Sequence, residues 1–99
     1  MNKINLKKQL TIFGKPCQDE VGNPIFLSES IANCLIQGRS SQPAKMMSIC
    51  VRLHDTGELD LDDQDLEFLR KSVEGAQNAT DLLVASVLKE IEEQVKKAA

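Results

Sequence analysis

The sequence predicts a mainly α fold: a small four-helix domain preceded by a short N-terminal β-hairpin or extended arm. Three observations predict it. From Ser28 onward, apolar residues recur three or four apart, the spacing of a helix with one buried face. Helix starters and stoppers (Pro43, Asp62 and Thr80; Gly38, Gly57 and Gly75) divide that stretch into four segments. Before Ser28, two short apolar runs flank strong turn signals, the pattern of a hairpin. A chain of 99 residues is the size of one domain. The arm is expected over residues 1–27 and the helical bundle over 28–97.

In the arm, Leu10-Thr11-Ile12-Phe13 is a β-prone run that ends at Gly14-Lys15-Pro16. Gly22-Asn23-Pro24 is a turn, and Ile25-Phe26-Leu27 is the second run. A lone hairpin is marginal in water, so this one should lie on the helices or pair with another chain. Residues 1–15 carry Lys3, Lys7, Lys8 and Lys15 without an acid, which reads as a soluble, frayed terminus. The alternative is a phosphate-reaching arm, helped by Arg39, Lys45 and Arg52.

Ser28 suits the N-cap of the first helix, with Leu27, Ile31 and Leu35 at four-residue spacing and Gly38 beyond its end. Pro43 suits the first turn of the second helix, which should run to about His54 and stop at Gly57. Met46, Met47, Ile49, Cys50, Val51 and Leu53 occupy nearly every side of it. A helix apolar all round is central in the fold or buried in an oligomer. The third helix opens with Asp62 at the N-cap, Asp65 at N3, and Leu61 and Leu66 as a hydrophobic staple. Its stripe is Leu66, Leu69, Val73 and Ala76, with Glu67 four residues before Lys71. The fourth helix starts after Asn78 or Thr80, and Val84, Leu88, Ile91 and Val95 form its stripe. Glu92–Lys96 and Glu93–Lys97 are favourable pairs near its end.

Composition narrows the function classes. Net charge is −3, which disfavours a general grip on nucleic acid. Three Phe with no Tyr or Trp leave few rings for stacking bases. Cys17, Cys34 and Cys50 are odd in number and widely spaced, as expected of reduced thiols in a cytoplasmic protein. There is no membrane-length apolar run and no signal-peptide pattern, so Asn78-Ala79-Thr80 reads as a turn, not a glycosylation site.

Seven carboxylates and no Lys or Arg stand between Asp55 and Glu67. Asp62, Asp63, Asp65 and Glu67 fall in a helix first turn, where acids favour the dipole. Asp55, Glu58 and Asp60 are left in a turn that does not need them, and they could meet a basic partner. A calcium loop from Asp60 fails, because Asp65 stands where Gly is needed and Lys71 where a bidentate Glu is needed. Cys50 and His54 share a helix face, but with Cys17 and Cys34 they match no compact zinc spacing. Glycines at 14, 22, 38, 57 and 75 form no phosphate loop, and no nucleophile or metalloprotease motif is present. No enzyme, metal or cofactor is therefore expected. At the C-terminus, Ile91 and Val95 could outrun a compact bundle and dock on a partner or a second copy.

Gly14-Lys15-Pro16, Gly22-Asn23-Pro24 leading into Leu27-Ser28, and the run Glu58 to Asp65 opening a helix resemble a recurrent type of small phage or prophage protein. The resemblance implies a virus-encoded accessory protein such as an assembly chaperone, a host-enzyme inhibitor or an anti-defence factor, working in the host cytoplasm. It transfers no site residues. The expected function is a non-enzymatic protein-interaction module with a protein partner, as a possible homodimer. The interaction residues would be Asp55, Glu58, Asp60, Ile91 and Val95. The alternative is a small nucleic-acid-binding regulator with a helix-turn-helix built from the second and third helices.

Overall fold

The structure is a computed structural model that describes residues 2–98, with only the backbone of Lys97 and Ala98. The expected Glu93–Lys97 pair therefore lies outside the described residues. The elements in order are β1 (Asn2–Asn5), β2 (Thr11–Ile12), β3 (Lys15–Pro16), α1 (Leu27–Gln37), α2 (Pro43–Asp55), β4 (Glu58–Leu61), α3 (Asp63–Glu74) and α4 (Asp81–Ala98). The fold is mainly α, with four helices around one core and a small sheet built into it.

That sheet is the main departure from expectation. β1 pairs antiparallel with β4, so that Lys3 faces Asp60 and Asn5 faces Glu58. Ile4 and Leu6 point inward beside Leu59 and Leu61, and Asn5 and Asp60 between them point out. Residues 2–5 are thus not frayed, and Glu58 to Leu61 is not a solvated turn. Polar and apolar residues alternate in β4, while β1 contributes Ile4 and, just beyond it, Leu6; these few inward residues suffice for a strand pair because they enter the helical core. The molecule also divides differently from the expected boundary at residue 27. Residues 2–8 belong with the helices, and the arm spans 9–26.

The register leaves the main-chain groups of Asn5 and Glu58 on the two outer edges of the sheet. Side chains cover both. Gln94 of α4 accepts from the Asn5 N–H at 2.7 Å and donates to its carbonyl at 2.7 Å. The Thr56 hydroxyl accepts from the Glu58 N–H at 3.1 Å. Capped edges of this kind discourage further strand pairing.

Ser28 does not cap α1. It lies inside the first turn, buried, and its N–H donates to the Leu6 carbonyl at 2.9 Å. The Leu27 N–H donates to the Lys8 carbonyl at 2.9 Å. The chain leaving β1 thus satisfies donors that a capping side chain would otherwise take. α2 begins at Pro43 as expected and ends at Asp55; Gly57 then takes a positive φ of 75° and donates to Arg52. α3 starts as its sequence predicts: the Asp62 carboxylate accepts from the Asp65 N–H at 2.7 Å, and Leu61 and Leu66 are both buried. Arg70 replaces Lys71 as the partner of Glu67 and reaches Glu92 of α4 at 3.3 Å. In α4, Thr80 accepts from the Leu83 N–H at 3.2 Å. The centre of its buried stripe is Leu83, Val87 and Ile91, with Val84, Leu88 and Val95 flanking it. The expected stripe is rotated by one residue, because both sets are apolar and the neighbouring helices choose between them.

The arm turns more tightly than expected. Thr11–Ile12 pairs with Lys15–Pro16 around Phe13-Gly14. The run Ile25–Leu27 meets the chain before the hairpin instead, through a Gln9–Phe26 bridge and a Leu10 N–H to Ile25 carbonyl bond of 2.7 Å. The Gly22-Asn23-Pro24 turn is present. Asp19 holds it by accepting from the Val21 and Asn23 N–H groups, each at 2.9 Å.

Candidate interaction surface

α2 is not buried on all sides. Met46, Ile49, Cys50 and Leu53 face the core, while Met47 is 58% and Val51 51% exposed. Met47 and Val51 are four apart, so they share the outer face of the helix. Ile36, 44% exposed at the end of α1, lies beside both. With Met47 and Pro43 it lines one hollow of about 330 Å³ between α1 and α2. With Val51 it lines another of about 200 Å³, whose wall is Ala32, Asn33 and Cys50 and whose rim is His54 and Asp55. The result is a half-exposed apolar ridge with a hollow on either side. Soluble monomers expose scattered apolar residues routinely; adjacent ones beside a groove mark contact surfaces.

The residues expected to bind a partner separate in the structure. Asp55 is the last residue of α2, exposed, with its carboxylate 3.4 Å from His54 Nδ1. Glu58 and Asp60 lie on the outer face of the β1–β4 sheet, in a shallow depression of about 680 Å³ shared with Lys3, Arg52, Thr56 and Gln94. Neither forms an ion pair among the described residues. Their exposure follows from strand alternation, and the cations beside them dilute the acidic field. Ile91 is 1% exposed and Val95 is packed against the core. Ile91 therefore does not outrun the helices; its apolar surface is used within the chain.

The thiols and His54 do not converge. Cys34 donates to the Asn78 carbonyl at 3.7 Å, Cys17 lies in the arm, and Cys50 is buried. Burial pushes the Cys50 thiol above its ordinary value, the opposite of what an activated thiolate requires. Among the described residues no group of three or more His, Cys, Asp or Glu is placed to hold a metal ion. Arg39, beyond the end of α1, and Lys71, in the last turn of α3, line a further cleft, and Lys71 there complements the helix dipole. α2 and α3 are not joined by the short turn of a helix-turn-helix, since β4 stands between them. Among the described residues, no helix is long and apolar enough to cross a membrane.

Comparison with protein-family models, curated proteins and solved structures returned no significant match.

In the sequence nothing sets Ile36 apart, because it is one apolar residue among several in α1. The surplus of apolar residues in α2 was visible there, but not which side of the helix it would leave exposed.

Proposed function

We propose that this protein is a non-enzymatic protein-interaction module that binds a partner through the outer face of α1 and α2. The supporting observation is the Ile36, Met47 and Val51 ridge with its flanking hollows. Full burial of such a side chain stabilises by about 1.5–3 kcal/mol, so covering the half still exposed contributes roughly 1 kcal/mol each. Three together give a few kcal/mol, the contribution of a small hot spot to which the rest of the interface must add. Asp55 at the edge of the hollow supplies a charge for a basic residue of the partner. Glu58 and Asp60 act as a secondary, charge-mixed surface. This mode of action suits the virus-encoded accessory role that the sequence resemblance implies, in which an inhibitor or assembly chaperone works by surface contact.

A photo-crosslinker at position 47 of the full chain, used in an extract of the host cell, tests the reading. A discrete crosslinked partner is expected, and Val51→Asp should reduce its yield at least tenfold. Equal yields from the wild type and Val51→Asp would contradict the proposal.

A further inference from the structure

Phe13 forms the tip of the arm and is fully exposed, with exposed Ile12 beside it. Its backbone has φ of 52°, followed by Gly14 at 81°. Positive φ at both central residues of a two-residue hairpin defines a type I′ turn, whose first position favours Asn, Asp or Gly. An aromatic residue there is strained by its backbone and gains no burial within its own chain. The fold therefore derives no benefit from Phe13, although it holds the ring out on a hydrogen-bonded hairpin.

The molecule also carries a hollow of matching size. The one beside Val51 measures about 200 Å³ and is walled by Ala32, Ile36 and Cys50. The hollow is open to solvent on one side, so a benzyl ring would lie against its apolar wall with one face still exposed. The charges match as well. Lys15 follows the tip by two residues and has no ion pair among the described residues, while Asp55 stands at the rim of the hollow.

We infer that the arm of one copy docks on a second copy of this chain, with Phe13 seated in the hollow beside Val51 and Lys15 against Asp55. The inference rests on the reading of the α1–α2 face as a contact surface and names one occupant for it. Exchange of arms about a two-fold axis makes the contact twice and closes the assembly, whereas a one-way contact would polymerise. Each aromatic ring buries about 150–250 Å². Two of them with their hollows stay in the class of weak interfaces, below about 1,200 Å². The dimer is therefore a reversible one that competes with a partner for the same face.

Sedimentation of the purified full chain over rising concentration tests this. The wild type should move from monomer toward dimer mass. Phe13→Asn should weaken association at least tenfold while melting no earlier than the wild type, because Asn suits the turn better than Phe. Val51→Asp should weaken it similarly. An equimolar mixture of the two variants should regain part of the association, because the intact arm of one fits the intact hollow of the other and restores one of the two contacts. A wild type that stays monomeric at every concentration overturns the inference, as does a Phe13→Asn variant that associates like the wild type. In either case, if Val51→Asp still abolishes partner crosslinking, the arm docking falls and the partner reading stands. If Val51→Asp alters neither association nor crosslinking, both fall.

Discussion

The body of the molecule and its arm are held together by different physics. In the body, residues 2–8 and 27–96, every helix and both strands of the β1–β4 sheet send side chains into one core. In the arm, residues 9–26, Leu10 alone packs against that core; Thr11 to Pro16 are all exposed, and the rest is held by main-chain hydrogen bonds, a two-residue turn and the Gln9 and Asp19 side chains. Apolar residues serve opposite ends in the two regions. In the body they are mostly hidden; in the arm Ile12, Phe13 and Val21 face water. Where burial does not use an apolar residue, that residue remains available for contact. The outer face of α2 behaves like the arm in this respect, although it belongs to the body.

The largest effect should come from emptying the core. Leu53 is fully buried, so Leu53→Ala should destabilise by about 2–5 kcal/mol, read by denaturant unfolding. Arm and body should then be lost together. Next is the joint between α2 and the sheet. A Cβ at Gly57 would lie 2.6 Å from Lys7 Cβ, and φ there is positive. Gly57→Ala should therefore cost about 1–3 kcal/mol, with the greatest loss of amide protection in β1 and β4. Asp62→Ala removes the α3 cap and should cost about 1 kcal/mol in the same assay. The smallest global effect is expected in the arm. Asp19→Ala should speed amide exchange at Val21 and Asn23 while leaving the melting temperature within a degree or two of wild type. An equally large fall in melting temperature would show that the arm is part of the cooperative unit.

Acid sharpens the same contrast. Hydrogen bonds, the Asn23 N–H foremost, lower the Asp19 carboxyl below its ordinary 3.8. A carboxyl depressed by folding contributes order above its unfolded value and loses it as pH falls through the folded one. Amide protection in the 19–23 turn should therefore hold at pH 5 and fade below about pH 4, readable by NMR on the wild type.

These differences also explain what the sequence made legible. The Asp62 cap, the Pro43 start and the Gly57 stop are local chemistry, and the structure places them as the residues predict. β1 and β4 are four residues each and lie more than fifty residues apart, so neither carries a long-enough pattern alone. The acids of Glu58-Leu59-Asp60-Leu61 read as a solvated turn, although their alternation with Leu was already the signature of a half-buried strand. The phase of α4 depends on which helices it meets, which its own sequence does not encode. For the candidate site, Asp55 is legible by its charge and is the one expected residue that reaches the apolar hollow. The apolar character of Ile91 does not by itself tell a core position from a docking one.

On this structure the outer apolar face of α1 and α2 is surplus to folding. Thermal unfolding of Met47→Asp/Val51→Asp tests it most directly. Exposed substitutions usually change stability by no more than about 0.5 kcal/mol each. At about 4–8 °C per kcal/mol for a domain this size, the double variant should melt within several degrees of the wild type. A fall as deep as that of Leu53→Ala would contradict the claim, because the face would then be holding the fold.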